Sequence, residues 1–392
     1  MAKAGKYFEM KAKVLIITTM IAAAVLSGGC TWIDQSVSGI TGVLGTTDTA
    51  TVIAKTAQIR TSYSVVAADL LEVKRGETLD VIDQVEFEKV PWFRVRARDE
   101  AATEGWIEAQ NVITSETMAK SKKLAEEFQT LSPQAAGVIR SASNLRLAPD
   151  MTPENVLFKL ANGSTFDIMA WKFVPKQEAP DVDDAPKGTQ KSGKKSKNED
   201  IEAAKEDGEP DNIQEKYDIW YQVRLDPSVS PAPAGWLFGR QVELSVPSDI
   251  VFFQQNNKKF VTWQRLDGDT TGAVTRATTP GSWVILTRTN AVKAIDGIEP
   301  DFDGILILAF DKYDQSYYTV WRNPNNTEVW GSLPLKVDGK GDNKTFSMQL
   351  RNNNAEGKME TKTFTVFKDK NRLRVNPPED IAQYQFVPVK KK

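Results

Sequence analysis

Two stretches decide the fold: Trp92-Phe93-Arg94-Val95-Arg96 with Gly105-Trp106-Ile107, and Trp220-Tyr221-Gln222-Val223-Arg224 with Gly235-Trp236-Leu237. Each is preceded by the same landmarks in the same order. The first copy starts at Gln58-Ile59-Arg60, runs through Leu70 to Ile82 and turns at Gly76. The second starts at Asn144-Leu145-Arg146, runs through Val156 to Met169 and turns at Gly163. Spacing after the Gly-Trp pair is also kept, from Gly105 to Val112 and from Gly235 to Val242. An internal repeat of short alternating runs broken by turn residues predicts two small all-β units.

Alternation assigns faces. Phe93 and Val95 point one way, Trp92, Arg94 and Arg96 the other, so Phe93 and Val95 are the expected core pair. Tyr221 and Val223 take that place in the second copy. Gly76 and Gly163 follow Arg75 and Asn162 where a tight turn needs positive φ.

The landmarks resemble the bacterial SH3 (SH3b) family. Its early N-L/V-R strand, glycine turn, W-Y-x-V-R strand and closing G-W-V strand correspond here to Arg60, Gly76, Trp92 to Arg96 and Gly105-Trp106. In the second copy they correspond to Arg146, Gly163, Trp220 to Arg224 and Gly235-Trp236. The resemblance implies small barrels over residues 52–115 and 138–246. It also implies a possible ligand groove at Trp92, Trp106, Trp220 and Trp236, with peptidoglycan or envelope proteins as partners. Packing is the competing role for these indoles. A groove requires an indole face exposed beside a second aromatic ring.

Residues 116–137 link the copies. Leu124, Phe128 and Leu131 recur at helical spacing, Ser115 suits an N-cap and Pro133 a stop. Residues 175–216 interrupt the second copy with eight lysines and twelve acidic residues. That composition cannot bury enough surface to offset ordering, so it predicts a disordered insertion in a hairpin. From 247 to 392, strand-like runs alternate with turns, which predicts a C-terminal β-sandwich or barrel. Asp301 with Asp303, and Asp338 with Asp342, sit at turns. They have neither the ligand number nor the closing glutamate of a calcium loop. The Lys390-Lys391-Lys392 end reads as a hydrated tail.

Histidine is absent, which excludes Ser-His-Asp and Cys-His catalysis and histidine-ligated zinc. The expectation is a protein that is not an enzyme and holds no cofactor or metal. Cys30 is the single cysteine, so no disulfide forms within the chain. Net charge is −2, and residues 1–29 carry +3, leaving −5 from Cys30 onward. That spread does not suit nucleic acid.

The leader begins with Lys3, Lys6, Lys11 and Lys13, continues apolar from Val14 to Leu26 and ends in Leu26-Ser27-Gly28-Gly29-Cys30. A basic head, a short apolar run and small residues make an export signal over 1–29. The end of the leader resembles the lipobox of bacterial lipoproteins, with the leucine four residues before the cysteine. The resemblance implies cleavage before Cys30 and lipidation of its thiol, palmitate included. Thr31 after the cysteine implies sorting to the outer membrane, facing the periplasm. An uncleaved anchor is the alternative. Residues 30–51, rich in Gly, Ser and Thr, read as a flexible tether.

The expected whole is an envelope lipoprotein acting as a binding or scaffold module for a cell-wall polymer or partner protein. Two alternatives stand beside it: a carboxylate-dependent hydrolase sited in the C-terminal domain, and an accessory subunit of an envelope or surface assembly. Paired carboxylates run glycoside hydrolysis without histidine. Neither the ligand nor the oligomeric state follows from the sequence.

Overall fold

A computed structural model describes residues 48–64, 66–176, 212–255, 257–267, 280–294, 297–324, 329–341, 343–351 and 358–385. The leader, Cys30, the core of the charged insertion and the lysine tail lie outside the described residues.

The fold is all-β, built from antiparallel sheets. The first repeat holds β1 (Thr49–Val52), β2 (Thr56–Arg60), β3 (Asp69–Lys74), β4 (Thr78–Phe87), β5 (Val90–Arg96), β6 (Glu104–Glu108) and β7 (Val112–Thr114). The second holds β8 (Ala135–Ile139), β9 (Ser143–Arg146), β10 (Val156–Leu160), β11 (Thr165–Pro175), β12 (Tyr217–Arg224), β13 (Ala234–Phe238) and β14 (Val242–Leu244). Their strand orders are the same: β3-β2-β6-β5-β4-β1-β7 and β10-β9-β13-β12-β11-β8-β14. Even the irregularities match. A bulge interrupts the β4–β5 register between Val81 and Asp83, and the β11–β12 register between Ile168 and Ala170.

Gly76 and Gly163 have φ of +89° and +80°, and a Cβ at either would touch nothing within 4 Å. Glycine is needed there for its backbone angle and not for space. Gly105 and Gly235 are the opposite case. A Cβ on Gly105 would lie 2.5 Å from the Arg60 carbonyl oxygen, and one on Gly235 2.6 Å from Leu145 Cγ. The glycine before each tryptophan lets β6 approach β2, and β13 approach β9.

Several expectations shift. Ala50 and Val52 are buried in β1, so the tether expected to reach residue 51 gives way to strand at Thr49. Helix α1 (Ser115–Glu126) is capped by Thr114, whose hydroxyl accepts from Thr117 N, and Ser115 is its first residue. It ends before Phe128, so Leu124, Phe128 and Leu131 do not share one helical face. Its buried positions are Met118 and Ser121. The Ser121 hydroxyl donates to Ala234 O at 2.6 Å and accepts from Ala234 N at 3.1 Å, fastening α1 to β13. Of the expected core pairs, Val95 and Val223 are fully buried, while Phe93 and Tyr221 are half-buried. The insertion is ordered at both ends. Pro175 closes β11, and the short helix α2 (Ile213–Lys216) leads into β12, with Ile213 N donating to Asn290 O at 2.6 Å.

The C-terminal region forms two meanders. One is β15 (Lys258–Arg265), β16 (Trp283–Thr289), β17 (Gly304–Asp311) and β18 (Ser316–Arg322). The other is β19 (Gly331–Lys340), β20 (Asn343–Arg351), β21 (Met359–Asp369) and β22 (Arg372–Asn376), followed by helix α3 (Glu379–Ala382). Val284, Leu286, Ile305 and Ile307 share a core with Phe346, Met348, Leu350 and Phe364, so the two meanders form layers. The other face of the first meander, through Phe260, Trp263, Trp283 and Ile285, joins the core of the second repeat at Leu145, Phe166 and Val223. Strand β16 is therefore covered on both faces, and Trp283 to Arg288 are all buried.

Candidate functional site

The four tryptophans separate into two kinds. Trp92 and Trp220 are each 2% exposed. They occupy central strands, where neighbours on both sides cover the outward face. Trp92 stands across from Val85 and Glu108, and Trp220 lies 5.2 Å from the Phe238 ring. Neither offers an indole face, which corrects the alternation that gave Trp92 to the polar side.

Trp106 and Trp236 are half-buried and occupy equivalent places, beside Arg60 and Arg146 respectively. Of the two, Trp106 alone has a ring contact among the described residues. Tyr63, in the turn after β2, meets it edge-on with centroids 5.1 Å apart. Phe87, at the end of β4, lies 5.4 Å from Tyr63. Tyr63 is 38% exposed, Phe87 39%, and Val90, paired across the hairpin from Phe87, 38%. Glu88 and Lys89 turn that hairpin with φ of 51° and 65°, the paired positive angles of a type I′ turn. Arg60 and Arg94, the cross-strand neighbours of Trp106, are held by Asp69 at 3.2 Å and Glu104 at 3.3 Å. The Arg96 hydrogen bond holds the Glu104 carboxyl below its ordinary range. This is an apolar ring surface with a charged rim.

Among its described residues, the second repeat has no such surface. Residues 147–155 carry no aromatic side chain, and Val174 stands in the register of Phe87. The sequence reading missed Tyr63 and Phe87. Its available signal was Phe87-Glu88-Lys89-Val90, an apolar pair flanking two polar residues at hairpin spacing.

The turn acids of the C-terminal region are engaged structurally. Asp303 is buried and accepts from Thr289 N at 3.1 Å and from Lys293 Nζ at 2.8 Å. Burial raises its carboxyl, but these bonds outweigh burial and hold it below the ordinary range. Asp301 accepts from Leu333 N at 2.9 Å. Burial pushes its carboxyl up to about 6, against the pull of the Leu333 N–H, the neighbouring Trp171 indole and Arg288. Arg288 and Glu299 form an ion pair with both side chains under 10% exposed. Burial lowers the Arg288 guanidinium, and Glu299 opposes that. Lys258 is likewise lowered by burial, with Asp303 opposing. Asp338 lies exposed on β19, and Asp342 lies outside the described residues. Among the described residues, no three His, Cys, Asp or Glu side chains converge as metal ligands.

No protein-family model matches this chain, and no curated protein matches it.

Proposed function

We propose that this chain is an envelope lipoprotein, held at the outer membrane by lipid on Cys30. It works as a non-catalytic binding or scaffold module for a cell-wall polymer or a partner protein. Its two repeats are SH3b-type units, and the first is the one that grips. The observation that carries this reading is the solvent-facing contact of Tyr63 with Trp106 and Phe87. Exposed rings in mutual contact present flat apolar faces that suit sugar C–H faces or extended peptide. The lipobox resemblance at Cys30 supports the anchor, since two or more acyl chains give stable membrane attachment.

The test is retention on purified sacculi and from envelope extract. Wild-type chain is expected to be retained, and the Tyr63→Ala, Trp106→Ala variant to fall to background. Equal retention of the two removes the aromatic face from the account. Mass spectrometry of the membrane-extracted protein checks the anchor separately. The expected product begins at an acylated Cys30, and an intact leader overturns that half of the proposal.

A further inference from the structure

A cleft of about 550 Å³ opens between the second repeat and the β15–β16 side of the first meander. Small-molecule sites commonly span ~300–1,000 Å³ and favour such junctions. One wall is the extended end of the β11–β12 hairpin. The pairs Trp171↔Tyr221, Phe173↔Ile219 and Pro175↔Tyr217 put Trp171, Phe173, Tyr217 and Tyr221 on one face. Trp171 meets Tyr221 edge-on at 6.2 Å, and Phe173 meets Tyr217 at 6.1 Å. Burial raises the Tyr221 hydroxyl to about 12, so it stays protonated. Lys259, Phe260 and Val261 form the facing wall.

The repeat fold does not demand these rings. At the same register the first repeat pairs Gln84 with Phe93 and Glu86 with Pro91. Trp171 and Phe173 are particular to this cleft.

Arg288 and Asp301 also line the cleft. Arg288 is 7% exposed, one of its nitrogens is taken by Glu299, and the Phe173 ring covers the guanidinium at 4.6 Å. Its Nε and Nη1 have no hydrogen-bond acceptor, whereas the Trp171 N–H lies beside the Asp301 carboxylate. Leaving a buried donor unsatisfied is costly, so the two guanidinium donors on this wall call for an acceptor. The lining carries four cations, Arg140, Arg240, Lys259 and Arg288, against three carboxylates, Asp218, Glu243 and Asp301. Arg140, Arg240 and Arg288 are paired with Glu243, Asp218 and Glu299, which leaves Lys259 as the lining cation without an ion pair among the described residues, suited to an anionic head group.

We propose that this cleft binds a small aromatic carboxylate, its ring set among Trp171, Phe173 and Tyr221 and its carboxylate taken by Arg288 and Lys259. The aromatic body follows from the rings of the lining, which favour edge and offset contacts with another ring. The carboxylate follows from the unsatisfied guanidinium donors and from Lys259.

Isothermal titration of the full chain with 2-naphthoate, 2-naphthylmethylammonium and naphthalene-2-methanol tests it. These share a ring and differ in the head group. Naphthoate is expected to bind at least tenfold tighter than the other two. Trp171→Phe keeps a smaller ring, and should weaken naphthoate and the alcohol alike, about threefold. Lys259→Gln, at an exposed position, should weaken naphthoate about threefold and serves even where the tryptophan variant does not fold. No naphthoate binding, equal affinity across the series, or naphthoate affinity unmoved by Lys259→Gln overturns the proposal.

Discussion

The Gln134 side chain binds both backbone groups of Leu335, 201 positions away. Its Oε1 accepts from Leu335 N at 2.8 Å and its Nε2 donates to Leu335 O at 3.1 Å. The same carbonyl takes Gln264 Nε2 at 2.9 Å, and the Thr262 hydroxyl donates to the Gln134 carbonyl. A single amide thus completes the hydrogen bonding of the buried Leu335 in β19 and ties it to the start of the second repeat.

Gln134→Ala strands Leu335 N among apolar neighbours. Losing both bonds while leaving that donor buried should destabilise the chain by ~2–4 kcal/mol. Urea unfolding followed by tryptophan fluorescence measures it, and a loss under ~1 kcal/mol would mean that water replaces the amide.

Gly105→Ala and Gly235→Ala each drive a methyl group into the strand opposite, at 2.5 Å from Arg60 O and 2.6 Å from Leu145 Cγ. Each should cost ~2–4 kcal/mol, the range of overpacking with backbone displacement. Gly76→Ala meets no atom and should cost less, ~1 kcal/mol from its positive φ alone. Thermal melting of the three variants ranks them.

Breaking the buried Arg288–Glu299 pair from one side leaves an uncompensated charge. Glu299→Gln and Arg288→Met should each lose ~3–5 kcal/mol. The double variant should recover much of that loss, because no lone charge remains. A double-mutant cycle in denaturant measures the coupling, and additive losses would show that the pair is not interacting.

Asp301 gives the stability of the fold a pH signature. Its folded pKa, about 6, lies above the 3.8 of an ordinary aspartate. Its protonated form is therefore favoured by folding, and that contribution is complete below pH 3.8 and lost as pH rises through 6. Asp301→Asn keeps an acceptor for Leu333 N and removes the titration. The full difference would be ~3 kcal/mol, and partial solvent access reduces it to about 1–2 kcal/mol. The variant should exceed wild type by that amount at pH 7.5 and by nothing from this group at pH 3.5. Unfolding midpoints at the two pH values check the sign.

The repeat was legible because its landmarks are local: glycines with positive φ, Gly-Trp pairs under steric pressure, and alternating strands. The strand-like runs of the C-terminal region were legible for the same reason. Strand β19 was not, since Gly331, Pro334 and Gly339 weaken its strand signal and it bulges between Ser332 and Lys336. The hairpin turns at Glu88-Lys89 and Lys370-Asn371 take positive φ without glycine, so the usual turn pairs were absent. Burial of Trp92 and Trp220 depends on both neighbouring strands and is not carried by alternation within one. The aromatic surface was half legible: Trp106 lies in a motif, but Tyr63 and Phe87 join it only through the folded hairpin. The cleft was not legible, because Trp171, Arg288 and Asp301 meet across elements far apart in sequence.

The cluster from Ala50 to Val112 draws on the first repeat alone, whereas the second repeat shares its interior with Trp263, Trp283 and Leu308. During synthesis the two copies therefore face different waits. The leading copy can close soon after residue 114 leaves the ribosome. Its sibling, complete at Leu244, must hold an open interior until Leu308 has emerged, more than sixty residues later. That interval is when the nascent chain is most exposed to mispairing and most dependent on chaperones.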